Sequence, residues 1–325
     1  MAPRELVRDA VERVVLSGHV GKSGAGLERV RLADGRTLVV KRIEPRTDIT
    51  VEATGGMPGR EYVLWRSGVL HRLPAGVGHA MVDAWVEDDS TVLVMRDLGD
   101  AVLTWDDRLS PERAAWVMAR AAELHRSFLG EAPADVVPLG QALALFAPAT
   151  ARPWAAEGVE LMRLVLLGWE LFVEEAPADV AGAVLTLLDD VTPLRRALET
   201  GPVTMTHGDL ATVNMAIEGD TLVLIDWAMP TAAPGSLDVA RFIAGCASVV
   251  DASREHLIAA YQEAAGPAYD EHSMRLSLLA GLMWLGWNKA LDAVEHPDPQ
   301  IRARERADLD WWVDRARDAL ETGVL

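Results

Sequence analysis

From Val11 to about Met95 the dominant signals are strands, runs in which apolar and polar positions alternate with a period of two, and polar turns punctuate the runs. Val14-Val15-Leu16 and Leu27-Glu28-Arg29-Val30-Arg31-Leu32 flank a stretch from Ser17 to Gly26 that holds four glycines. Asp34-Gly35 then turns the chain into Thr37-Leu38-Val39-Val40-Lys41-Arg42-Ile43. A glycine-rich linker, residues 55–59, leads to a helix from Arg60 with Tyr62, Trp65 and Val69 at helical spacing and Pro58 at its start. Residues 81–86 and 91–95, separated by Glu87-Asp88-Asp89-Ser90, predict a second hairpin.

From about residue 96 the period becomes helical. Ser110-Pro111-Glu112 supplies a cap, a preset φ and a first-turn carboxylate to a helix running through Val117, Ala121, Leu124 and Phe128. Helical segments fill residues 141–200, around Trp154, 161–172 and 180–188, and three more follow at roughly 253–265, 273–292 and 300–321. In the last, Leu309, Trp312 or Val313, Ala316 and Leu320 share a face. Asp308, Asp310 and Asp314 alternate with Arg304, Arg306, Arg315 and Arg317, which predicts an exposed salt-bridged face. The pattern describes an α+β chain with a small antiparallel β lobe, residues 1–95, and a mainly helical lobe, residues 96–325, carrying a helical insertion at about 138–200.

The chemistry concentrates in Met205-Thr206-His207-Gly208-Asp209-Leu210-Ala211-Thr212-Val213-Asn214, followed by the strand-like Leu222-Val223-Leu224-Ile225-Asp226-Trp227. An Asp in a tight polar loop, an Asn five positions later and a second Asp closing a hydrophobic run suit phosphoryl transfer. The first Asp accepts the proton of an attacking hydroxyl, while the Asn and the second Asp offer oxygen ligands to Mg²⁺ bound to a nucleotide. A His-x-Asp pair alone also fits a metal-dependent hydrolase, and a lone Asp at a strand end also fits a turn. The joint spacing favours the kinase reading.

These motifs resemble those of the aminoglycoside phosphotransferase and choline kinase-like family, distant relatives of protein kinases. The resemblance implies a two-lobed protein-kinase-like fold. It implies Asp209 as catalytic base, Asn214 and Asp226 as Mg²⁺ ligands, and His207 as scaffold of the catalytic loop. Asp238, in Pro234-Gly235-Ser236-Leu237-Asp238, resembles the helix-start Asp that braces that loop, with Ser236 able to cap the helix. The chain departs from the family at Ala211-Thr212-Val213, where many members carry His-Pro-Gly, so the middle of the loop receives no assignment.

In the small lobe, Gly21-Lys22-Ser23 invites a P-loop reading, but Leu16 stands where a Walker sequence needs glycine and Leu27 to Leu32 alternates as a strand rather than a helix. What remains is a kinase-type lid whose small residues let backbone N–H groups approach phosphates, with Ser23 adding a hydroxyl. Lys41 resembles the phosphate-binding lysine of the third kinase strand; Glu61, twenty positions on, is the candidate partner and Glu52 a second. The resemblance places adenine against the backbone at Met95 and Arg96, reads Leu124-His125 as a family helix end with His125 a packed core residue, and gives the insertion a part in the acceptor pocket.

Composition narrows the partners. With 31 basic against 49 acidic residues in 325, the net charge of −18 disfavours nucleic acid and anionic membranes. The single cysteine, Cys246, sits in an apolar run and suits a reducing compartment as a buried thiol. The charged N-terminus lacks a signal-peptide core, and the longest apolar stretch, residues 276–287, is too short to span a bilayer, so a cytoplasmic protein is expected. The 11 tryptophans, among them Trp284, Trp287, Trp311 and Trp312, read as core. The function expected is a small-molecule kinase passing the γ-phosphoryl of ATP or GTP, with Mg²⁺, to a hydroxyl of an antibiotic or sugar-like compound. The alternatives are a choline or metabolite kinase, a catalytically silent nucleotide-binding protein and a His207/Asp209 metal-dependent hydrolase. The oligomeric state is left open.

Overall fold

Alternation in the first lobe gives a sheet whose two faces enter different cores. A computed structural model describes residues 3–16, 25–44 and 48–324; Ser23 and most of the glycine-rich stretch lie outside the described residues. After helix α1 (Pro3–Arg8) come strands β1 (Glu12–Val15), β2 (Gly26–Arg31) and β3 (Thr37–Ile43), then helices α2 (Ile49–Ala53) and α3 (Arg60–Arg66). Strands β4 (Val77–His79), β5 (Met81–Glu87) and β6 (Ser90–Arg96) follow. The sheet order is β1-β2-β3-β6-β5, all pairs antiparallel, with β3 at the centre. Leu38, Val40, Val92 and Val94 bury one face with Val7, Val30 and Leu32. Because side chains alternate along a strand, Val39 and Lys41 take the other face, opposite Met95 and Leu93 in the β3–β6 register. That face looks into the cleft between the lobes. Two corrections belong here: the lobe carries three short helices where one is expected, and the helix from Arg60 ends at Arg66, leaving Val69 in a separate 3₁₀ turn.

The second lobe begins with α4 (Pro111–Ser127), where Ser110 Oγ accepts from the Arg113 N–H at 3.2 Å as its sequence predicts. The insertion forms α5 (Leu139–Leu143), α6 (Pro148–Ala156), α7 (Glu160–Glu175), α8 (Ala178–Asp189) and α9 (Thr192–Leu198). Four short strands follow, β7 (Val203–Thr206), β8 (Met215–Glu218), β9 (Thr221–Leu224) and β10 (Thr231–Pro234). Helices α10 (Ser236–Cys246), α11 (Arg254–Ala265), α12 (Glu271–Glu295) and α13 (Pro299–Leu320) complete the chain. Strand β4, from the first-lobe segment, pairs in parallel with β9, and β9 pairs antiparallel with β8; β10 pairs with β7. Strands of three or four residues are too short to show alternation, which hides β4, β7 and β10 from sequence patterning.

Helix α12 is buried on most sides because α7, α10 and α13 all pack on it. The acidic face expected on α13 is divided. Asp308 is buried with Glu305, and both meet Lys289 Nζ of α12, at 2.8 and 2.9 Å, so this is an internal ion cluster rather than a solvated face. Asp310 and Asp314 remain exposed. Trp284, Trp287 and Trp312 are buried as expected, and Trp311 lies between Arg254 and Arg315. Among the described residues, no helix is long and apolar enough to cross a membrane.

Candidate active site

The catalytic loop is held from below by one buried carboxylate. Asp238, 1% exposed in the first turn of α10, accepts from the backbone N–H of His207 at 2.7 Å and of Gly208 at 2.8 Å. Its Oδ2 also meets His125 Nε2 at 3.0 Å, and His125 Nδ1 lies 2.9 Å from Tyr261 Oη. With Nε2 donating to the carboxylate, Nδ1 accepts the tyrosine proton, so the buried polar atoms along this chain are paired. Burial alone would raise the Asp238 carboxyl, but the hydrogen bonds from His125 and from the His207 N–H outweigh it and hold it below the usual 3.8. Gly208 has φ of 81°, and a Cβ there would run into the Met229 carbonyl, so only glycine fits the turn. Ser236 does not cap α10: Gly235 occupies the cap position, and Ser236 Oγ bonds Ser277 Oγ at 2.8 Å instead.

His207 ties the loop to the strand carrying the second Asp. Its Nε2 donates to the Ile225 carbonyl at 3.0 Å, and its Nδ1 faces the Asp209 N–H at 3.3 Å. The ring also packs on buried Trp227. These contacts engage both ring nitrogens of His207. Among the described residues no group of three or more His, Cys, Asp and Glu side chains is placed to hold a metal ion.

Asp209 and Asn214 form one unit. Asn214 Nδ2 donates to both the backbone oxygen and Oδ2 of Asp209, each at 2.9 Å. Ile225 N donates to the Asn214 carbonyl at 3.0 Å, which brings Asn214 beside the end of β9, where Asp226 follows. Asp226 has φ of 59°, uncommon for a residue with a side chain, and its Oδ1 meets Lys41 Nζ at 2.7 Å. Lys41 in turn meets Glu61 Oε2 at 3.0 Å, the Glu61 side chain being 2% exposed. Glu52 is exposed on α2, and Glu61 is the partner. Burial works against the Lys41 charge, but Asp226 and then Glu61 overcome it and raise its pKa. For Asp226, burial is likewise outweighed, by the Lys41 charge, and the carboxyl is lowered.

The donor set suits a hard cation. Among the described residues no hydrogen bond reaches Asn214 Oδ1 or Asp226 Oδ2, so each offers an oxygen. Two such ligands suffice for a cation that takes its remaining places from phosphates and water. Met95 and Arg96 are placed differently from one another. Met95 is nearly buried in β6 on the face of Lys41, whereas the Arg96 guanidinium reaches across to Glu218 of β8, at 3.1 and 3.0 Å, and its N–H is taken by the Ala80 carbonyl at 2.8 Å.

Sequence reasoning missed one residue at the centre of the site. Arg241 of α10 donates through Nε to Asp209 Oδ1 at 2.7 Å, and its Nη2 is equally close to the same oxygen. The available signal was its position three residues after Asp238, which sets both on one face of a helix already assigned to the loop.

Comparison with known proteins agrees with this geometry. The sequence model of the Phosphotransferase enzyme family (APH) matches residues 22–276. No curated protein matches the chain. Among solved structures, an aminoglycoside phosphotransferase from Alicyclobacillus acidocaldarius aligns at 17% identity over 99% of this chain and 95% of its own, with TM-score 0.52. A choline kinase from Streptococcus pneumoniae aligns at 13% identity over 94% of each chain, TM-score 0.52. An aminoglycoside phosphotransferase from Streptomyces rimosus, in complex with ADP and streptomycin, aligns at 21% identity over 82% of this chain and 94% of its own, TM-score 0.50. The two-lobed kinase-like fold, the paired Asp209 and Asn214 and the family match lead to one statement: the chain belongs to the phosphotransferase enzyme family and is a small-molecule O-phosphotransferase.

Proposed function

We propose that this protein transfers the γ-phosphoryl group of ATP or GTP to a hydroxyl of an antibiotic, an aminoglycoside or another, or of a sugar-like compound. The observation that carries the reading is the Asp209–Asn214 pair set beside an Asp226 that is itself bound to Lys41. Lys41, steadied by Glu61, holds the phosphates, and backbone near Met95 and Arg96 receives the base. Asn214 and Asp226 would hold Mg²⁺, which would supply charge neutralisation at the phosphates. Asp209 orients the acceptor and takes its proton. The acceptor oxygen bonds to Pγ, the bond from Pγ to the bridging oxygen breaks, and its electron pair leaves with the nucleoside diphosphate. Because that transition state is loose, orientation and charge matter more than base strength. Aminoglycoside phosphotransferases among the structural neighbours and the acidic composition support an antibiotic or sugar-like compound as first choice.

The test is a coupled assay of Mg-nucleotide consumption across aminoglycosides, other hydroxyl-bearing antibiotics, amino sugars, simple sugars and choline. Acceptor-dependent turnover with one class names the substrate. Turnover with choline alone would replace the antibiotic reading with a choline kinase.

A further inference from the structure

The middle of the catalytic loop turns away from the cleft. Ala211 and Thr212 are fully buried, the Thr212 N–H faces Cys246 Sγ at 3.4 Å, and Val213 packs against the core. Nothing between Asp209 and Asn214 presents a cation. The positive charge at Asp209 comes instead from α10, through Arg241. Its side chain is 11% exposed, against 31% for Asp209, and the two atoms of its fork on Asp209 Oδ1 leave Oδ2 to Asn214. Both carboxylate oxygens are thus held, one from each side, which fixes the side-chain rotamer.

The surroundings are shaped for the guanidinium. It lies over the Trp284 ring, 5.8 Å from the centroid, in a contact that favours a cation. Gly245, one turn on in the same helix, leaves the room that Nη1 occupies, and a Cβ there would collide with it. Arg241 Nη1 is buried and has no hydrogen-bond partner among the described residues.

From these contacts we infer that Arg241 is a positioning residue of the transfer: it locks the Asp209 carboxylate toward the acceptor and offsets its charge, so that an anionic phosphoryl group can approach a carboxylate without net repulsion. The inference rests on the kinase reading.

The experiment needs no acceptor. Binding of Mg-ADP is titrated with and without aluminium fluoride, a mimic of the transferring phosphoryl group, for the wild type, Arg241→Met, Arg241→Lys and Asp209→Asn/Arg241→Met. In the wild type the fluoride complex should tighten ADP binding by about a hundredfold or more, as transition-state mimics do. Arg241→Met should bind Mg-ADP within about twofold of the wild type, which shows that it is folded, yet lose about tenfold to a hundredfold of the fluoride-dependent gain, the weight of a charge-assisted hydrogen bond. Arg241→Lys should keep part of the gain. The double variant should recover part of it, because no unpaired carboxylate then faces the anion, whereas a merely structural role predicts no recovery. Arg241→Met that keeps the full gain, or a double variant no better than Arg241→Met, overturns the inference. Failure of the wild type to bind Mg-ADP overturns the kinase reading instead.

Discussion

Lys41 Nζ lies 2.7 Å from Asp226 Oδ1 although 185 positions separate them in the chain. The contact joins the central strand of the small lobe to the end of β9 in the large one, and Glu61 completes it from α3 at 3.0 Å. One ammonium therefore serves two carboxylates across the cleft, and the arrangement exists only when both lobes are folded and apposed.

Removing that ammonium should cost both function and stability. Lys41→Met leaves Glu61 buried without its counter-charge, which should destabilise the fold by about 3 kcal/mol or more. Lys41→Met/Glu61→Gln should recover most of the stability but none of the phosphate affinity. Thermal unfolding read beside nucleotide titration checks both halves; a double variant as unstable as Lys41→Met would mean the pair is not what holds α3 on the sheet.

Asp209→Asn should lower turnover by about 10²–10⁴ while nucleotide affinity changes little, because the residue acts on the acceptor rather than on the nucleotide. Steady-state rates set against calorimetric Mg-nucleotide binding separate the two. An Asp209→Asn variant that keeps most of the turnover would remove the assigned base.

The brace beneath the loop has a pH signature. The Asp238 carboxyl titrates below its ordinary 3.8 when folded, held there by His125 against the effect of burial. Its charge therefore stabilises the native state above pH 3.8, and that contribution fades as the pH falls from 3.8 through the lower folded value. Asp238→Asn places an NH₂ where N–H donors converge, so stability at neutral pH should drop by about 1–3 kcal/mol. The acid limb of the stability curve should flatten at the same time. Denaturant melts at a series of pH values give both quantities, and an unchanged acid limb would contradict the assignment.

Away from the cleft, Lys289→Met should destabilise the α12–α13 pair by about 1–3 kcal/mol, because Asp308 then keeps only Arg254 and Glu305 only Arg304 as counter-charge. Turnover per folded molecule should stay at the wild-type level. A loss of turnover without loss of stability would show that α13 communicates with the site.

Sequence patterning alone located the strands of the five-stranded sheet and most of the long helices, because each carries enough residues for its period to show. His207, Asp209, Asn214, Asp226 and Asp238, singled out by motif and by the family resemblance, fall within 32 positions of the sequence, and the fold gathers them through local hydrogen bonds. Glu61 and Glu52 were indistinguishable by periodicity; burial on α3 against exposure on α2 decides between them. Asp308 reads as a solvated acid because its helix is rich in charge on every side, and it is the approach of Lys289 from α12 and Arg254 from α11 that accounts for its burial.

What the chain determined by itself was chemistry written locally: which residues can accept a proton, bind a hard cation or turn tightly, and at what spacing. The tertiary structure decided which of them share one cleft. It joined Lys41 to Asp226, chose Glu61, ran a hydrogen-bonded chain from Tyr261 through His125 to Asp238, and brought Arg241 onto Asp209. The reason is physical: the partner of a buried charge is set by which elements pack over it, and packing depends on contacts between segments far apart in sequence.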